Sequence, residues 1–112
     1  MRIAAVVGDL LLFSRIDAAA SRAGASIERV DAPHDLSASR ELDVVLVDWS
    51  ARADGWADAL VGMQASGRVR VILFGQHTDL AAHAAARSAG LGPMWARSRL
   101  VNDLPTLFAD PV

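Results

Sequence analysis

The sequence predicts a doubly wound α/β domain over residues 1–112, with five parallel strands in the order 2-1-3-4-5 and helices on both faces. Three observations carry that reading. Apolar, β-branched runs recur at residues 3–7, 44–47 and 69–74, as in strands covered on both faces. Helix-length segments with apolar residues on one face lie between the runs. Gly24, Gly67 and Gly90 close those segments, where a left-handed residue commonly ends a helix. Strands alternating with helices over short connections give a parallel sheet in three layers. Right-handed crossovers then leave few topologies.

The elements follow in order. The first strand, 3–7, is broken by Gly8 and Asp9. A helix over 10–23 places Leu12, Ile16, Ala19 and Ala20 along one stripe. Residues 26–30 (SIERV) alternate polar and apolar, which suits an edge strand. Residues 33–40 make a short helix or an irregular connection. The clearest buried strand, 44–47, ends in Asp48, Trp49 and Ser50. Asp54 is placed to cap a helix over 55–65, with Trp56, Leu60, Val61 and Met63 as its apolar surface. The strand at 69–74 leads into a loop, and Thr78 or Asp79 can cap a helix to residue 89. Residues 93–96 make a short last strand. Asn102 can cap a final helix ending near residue 109, because Pro105 then falls in the first turn, where its missing N–H costs little.

Composition narrows the function. The 112 residues are 53% hydrophobic and 21% charged, so the chain folds rather than staying disordered. A net charge of −2 gives no positive field for autonomous nucleic-acid binding. There is no cysteine, which excludes disulfides, zinc–thiolate sites and a thiol nucleophile. All eleven basic residues are arginine, which excludes a Schiff-base lysine or a phosphate-loop lysine. The apolar start MRIAAVVGDLLLF carries Asp9 and lacks a small-residue cleavage site. It reads as a strand running into a helix, not a signal peptide. No apolar run approaches the roughly 20 residues that span a bilayer. The expected setting is the cytoplasm, with no membrane and no nucleic acid as partner.

In open parallel sheets, ligands bind beyond the carboxyl ends of the strands, where the strand order reverses. Gly8, Asp9, Asp48, Gly75, Arg97 and Ser98 fall there. Two nearby carboxylates repel unless a cation intervenes. Magnesium takes oxygen ligands and keeps several waters, so Asp9 and Asp48 are candidate metal ligands. Arg97 could instead pair with Asp48 and hold the site shut without metal.

These positions carry a resemblance to response-regulator receiver domains. VVGD at 6–9 resembles the end of their first strand, which ordinarily reads as a hydrophobic pair and two acids. DVVLVD at 43–48 resembles the third strand, which ends in the phosphoacceptor aspartate. VRVILFG at 69–75 resembles the fourth, which ordinarily ends in threonine or serine. AGLGPMWARS at 89–98 resembles the segment of the fifth, which ordinarily ends in lysine and then proline. FGQHTD at 74–79 and ARSR at 96–99 also resemble segments of bacterial receiver-like chains, a likeness that brings no activity with it.

The resemblance implies a single flavodoxin-like (CheY-like) three-layer domain in bacterial signal transduction. On it, Asp48 matches the phosphoacceptor and Asp9 one of two metal-binding acids, with Gly8 in place of the other. Gly75 replaces the hydroxyl residue that senses the phosphoryl group. Arg97 replaces the lysine, Ser98 the proline, and Met94 the switch aromatic. Loss of an acid weakens cation binding. Gly75 has no hydroxyl to draw the loop inward, and Met94 has no ring to swing. Arg97 keeps the charge in a different shape.

The expectation is therefore a degenerate receiver-like module, a pseudo-receiver, that works by protein–protein contact and is not an enzyme. Two alternatives stay open. One is an atypical phosphorylatable receiver, with Asp48 as acceptor, Asp9 holding Mg2+ and Arg97 standing in for lysine. The other is a small flavodoxin-like nucleotide or cofactor binder, although neither the dinucleotide nor the phosphate-loop glycine pattern is present. The partner is expected to be a histidine kinase, a regulatory protein or a second copy of the chain. Plainer roles compete at each residue. Asp9 can cap the first helix, Asp48 can close a strand, and Arg97 and Arg99 can bind an anion or phosphate or, more plainly, form a salt bridge to Asp48 or Asp9 beside a solvated side chain. His77 and His83 are six apart, with His34 distant, so no metal site is expected from them. Ser50 and Ser98 lack an activating base. Trp49 and Trp56, if exposed, suit a partner-binding surface, and Trp95 is expected in the core.

Overall fold

A computed structural model describes residues 1–36 and 41–109. Strands β1 (Arg2–Val6), β2 (Ser26–Val30), β3 (Val44–Asp48), β4 (Arg70–Gly75) and β5 (Trp95–Ala96) form one parallel sheet in the order β2-β1-β3-β4-β5. Helices α1 (Leu10–Arg22), α2 (Trp56–Ala65), α3 (Leu80–Ser88) and α4 (Arg97–Leu107) cover it. Short 3-10 turns lie at Pro33–Asp35 and Trp49–Ala51. The first of them stands where a helix or irregular connection was expected over 33–40, of which 37–40 lie outside the described residues. Among the described residues, no helix is long and apolar enough to cross a membrane.

Strand alternation divides the core in two. Ile3, Ala5, Leu46, Ile72 and Phe74 face one side, against Leu12, Ile16, Ala19 and Ala20 of α1 and Leu100 and Leu104 of α4. Ala4, Val6, Val45, Val47 and Leu73 face the other, against Trp49, Trp56, Leu60, Ala82 and Ala86. Burial on both faces is why β1 and β3 read as unbroken apolar runs, and β2, at the edge, does not.

Several boundaries differ from those read in the sequence, each for a physical reason. β1 and β4 begin and end one residue away from expectation. Asp43 sets their starts: its carboxylate accepts the Arg2 N–H at 2.7 Å, its own N–H donates to the Arg2 carbonyl at 2.8 Å, and its carbonyl accepts the Arg70 N–H at 2.9 Å. β5 has two residues rather than four, because Gly92 turns at φ +82° and Pro93 has no N–H to pair. Asp54 does not cap α2. The chain first winds through the turn at Trp49–Ala51, then reverses at Gly55, whose φ of +87° favours glycine.

The last helix departs furthest. It starts at Arg97, directly after β5, so Asn102 lies inside it and Pro105 in its interior. Pro105 leaves the Val101 carbonyl without its helical donor, at a cost of about 3 kcal/mol relative to alanine. Burial of Leu100, Leu104 and Phe108, four residues apart on one stripe, offsets this at roughly 1.5–3 kcal/mol per side chain. Pro105→Ala is expected to raise stability by about 1–2 kcal/mol, the helical gain less the freedom returned to the unfolded chain. Urea denaturation measures it; a lower midpoint would show that the proline fixes the helix rather than interrupting it.

The tryptophans reverse their expected places. Trp49 and Trp56 are only 2% and 7% exposed, so neither forms a docking surface. The turn after β3 rolls Trp49 under α3, where its Nε1–H donates to the Ala82 carbonyl at 3.0 Å. Trp95 is half-buried instead of fully in the core, because the two-residue edge strand leaves one flank uncovered. The Arg99 guanidinium lies 3.9 Å from its ring centroid and that of Arg70 5.9 Å.

Candidate functional site

Because every strand is parallel, the carboxyl ends of β1, β3, β4 and β5 meet at one end of the sheet. Val6 pairs with Val47, Asp48 with Phe74, Phe74 with Trp95, and Gly75 with Ala96. Asp9 follows β1 and opens α1, and Asp48 is the last residue of β3. Arg97 and Ser98 form the first turn of α4. The six site residues read in the sequence therefore share one end of the sheet, but they do not all interact.

Arg97 is bonded to Asp9, not to Asp48. Its Nη2 donates to Asp9 Oδ2. The other oxygen, Oδ1, accepts the Leu11 N–H at 3.0 Å and the Leu12 N–H at 3.1 Å, capping α1. Asp9 is thus a helix cap and an ion-pair partner at once. The Arg97 hydrogen bond, followed by the Leu12 amide, holds its carboxyl below the usual carboxylate range. Asp48 moves the other way. Burial pushes its carboxyl up, the nearby Arg97 charge and the Ser50 and Ala51 amides pull it partly back, and the negative Asp9 adds to the rise.

These opposite shifts give opposite pH signatures. Asp9 contributes stability above the ordinary value of 3.8, lost as pH falls through its lower folded value. Asp48 carries a folding cost at neutral pH, relieved as pH falls from its raised folded value through 3.8. Asp48→Asn is therefore expected to raise the urea midpoint at pH 7 and Asp9→Asn to lower it, the Asp48→Asn gain fading as pH falls to 3.8 and the Asp9→Asn loss fading only below it. An Asp48→Asn loss at pH 7 would show that its carboxylate makes a stabilising bond.

Magnesium needs near-octahedral oxygen donors at about 2.0–2.1 Å. Both Asp9 oxygens are engaged, one of them by the Arg97 guanidinium, and Gly8 supplies no side-chain donor. Asp48 alone remains. The residues as arranged do not fit a divalent cation.

The two glycines of the site differ. A Cβ on Gly8 would meet nothing within 4 Å, and Gly8 is not among the glycines at positive φ. Neither space nor backbone demands glycine there. A Cβ on Gly75 would run into Ser50 Oγ and come within 2.9 Å of Met94 Sδ. The place of the missing strand-four hydroxyl is therefore occupied. Ser50 is the residue that sequence reasoning passed over; its signal is a hydroxyl two positions beyond Asp48 combined with a side chain absent at 75. Arg29 was also missed: it donates to the Val7 carbonyl at 3.4 Å and pairs with Asp31 at 3.0 Å, beside Gly8. Ser98 is exposed on the first turn of α4.

No family model matches the sequence, and no curated protein matches it. Solved structures do. A response regulator from Hahella chejuensis aligns with a TM-score of 0.74 at 12% identity, over 96% of this chain and 91% of its own. A response regulator protein from Burkholderia multivorans gives 0.72 at 19% identity, over 99% and 97%. A response regulator receiver domain protein from Clostridium thermocellum gives 0.64 at 16% identity, over 95% and 94%. The chain has the fold of response-regulator receiver domains, a flavodoxin-like parallel sheet in the order 2-1-3-4-5.

Proposed function

We propose that this chain is a receiver-fold module of bacterial signalling or regulation that works in the cytoplasm by protein contact, without catalysis and without a phosphorylation switch. The observation that carries this reading is the Arg97–Asp9 bond. It engages the Arg97 guanidinium with the acid that a metal would need, and it leaves Asp48 as a half-buried carboxyl with a raised pKa and no ion pair among the described residues. Transfer of a phosphoryl group to a carboxylate requires its negative charge to be offset by a positioned cation. The partner in this reading is a regulatory protein, a histidine kinase or a second copy of the chain.

A second reading, with Asp48 as phosphoacceptor, has one observation on its side: no ion pair engages the Asp48 carboxyl among the described residues, while the Arg97 charge reaches it. Incubation with Mg2+ and acetyl phosphate, followed by intact mass, separates the two. No gain of one phosphoryl mass is expected. A gain that Asp48→Asn abolishes would replace the first reading with the second.

A further inference from the structure

We propose that Ser50 is a built-in latch that fixes the corner between β4 and α3, so that this corner does not respond to the state of Asp48. The proposal deepens the reading above and rests on it only for its consequence in signalling; the latch itself stands on geometry.

Trp49 carries Ser50 into place. Its buried indole and its bond to the Ala82 carbonyl set the rotation of the turn after β3. Ser50 Oγ then lies over the end of β4 and accepts the Gln76 N–H at 3.1 Å. The space it fills is the space that any side chain at 75 would enter. The hydroxyl at this corner is thus supplied by the turn after β3 and directed to backbone, with no ligand required.

The rest of the corner is tied by bonds of the same internal kind. The Asp79 N–H donates to the Gln76 carbonyl at 3.0 Å, and the Asp79 carboxylate accepts the Ala82 N–H at 3.1 Å. His83 Nε2 lies 3.1 Å from the His77 carbonyl. None of these bonds involves Asp48, whose carboxyl faces the backbone amides of Ser50 and Ala51 and not the Ser50 hydroxyl. With Ser50 on it, the Gln76 N–H is also unavailable to an oxygen carried on Asp48.

Amide hydrogen exchange of Gln76 tests the latch in the full chain. Ser50→Ala is expected to speed Gln76 exchange about tenfold, the worth of one hydrogen bond, while Leu73 in β4 keeps its protection. Ser50→Thr keeps the hydroxyl and the slow rate. Asp48→Asn leaves Gln76 unchanged. Wild-type exchange at Gln76 in Ser50→Ala would overturn the proposal, and so would a tenfold change in Asp48→Asn. A double-mutant cycle supplies a second readout. Gly75→Ser is expected to lower the urea midpoint in the native background and to lower it less beside Ser50→Ala. Equal losses in both backgrounds would show that Ser50 does not occupy that space. Phosphoryl gain at Asp48 would sink the reading without a switch and leave these exchange rates untouched, so the two failures are distinct.

Discussion

Trp49→Ala is expected to lower stability by about 3–5 kcal/mol, a large part of the about 5–15 kcal/mol that a domain of this kind possesses. Trp95→Ala is expected to cost about 1 kcal/mol. Removing the Trp49 indole opens a void between β3, α2 and α3 and takes from the Ala82 carbonyl the second donor it has besides its own helix. Removing Trp95 strips a half-exposed ring from beneath Arg99 at the sheet edge, where water and the arginine stem can fill in. Urea denaturation followed by circular dichroism measures both. Similar losses would contradict the burial assigned to the two rings. Trp49→Phe divides the effect further: it keeps much of the apolar volume but not the N–H, so the remaining loss of about 0.5–1.5 kcal/mol reports the indole hydrogen bond.

That contrast marks where sequence reading reached and where it stopped. The sheet order was readable because β1, β3 and β4 are buried on both faces and so carry unbroken apolar runs. The α1 stripe was readable because Leu12, Ile16, Ala19 and Ala20 repeat with the helical period. Local signals failed where tertiary packing overrode them. Pro105 argued for a late helix start, yet the Leu100, Leu104 and Phe108 stripe pulled the helix back to Arg97. Asp54 had the chemistry of a cap, but the tight turn at Trp49–Ala51 displaced it. At the site, the sequence placed Asp9, Asp48, Gly75 and Arg97 together through strand ends alone. It left the partner of Arg97 open between two acids, since strand order does not resolve side-chain reach. Ser50 was invisible as a partner of Gln76 because the bond spans two loops.

Gly8→Asp combined with Arg97→Lys is expected to raise divalent-cation affinity at the Asp9 and Asp48 end of the sheet. The backbone at residue 8 is open to any side chain and the space beside it is empty, so the new carboxylate enters without strain. It adds negative charge beside Asp48, whose carboxyl is already pushed up by burial and by Asp9, and that repulsion is relieved best by a dication. Arg97 opposes it as long as its guanidinium holds Asp9 Oδ2. Lysine, a compact point charge on a flexible stem, lacks the guanidinium's planar array of donors and releases that oxygen. Mg2+ affinity, followed by Trp49 fluorescence next to Asp48, is expected to rise about 10–100-fold in the double variant, the usual scale for a supporting group at a metal site. Gly8→Asp alone should gain less, and adding Asp48→Asn should remove the gain. A double variant that binds Mg2+ no better than the native chain would mean that the Arg97–Asp9 bond is not what keeps the cation out. Metal binding restored in this way should still leave Gln76 protected, because Ser50 fills the corner at Gly75 whether or not a cation sits between the acids.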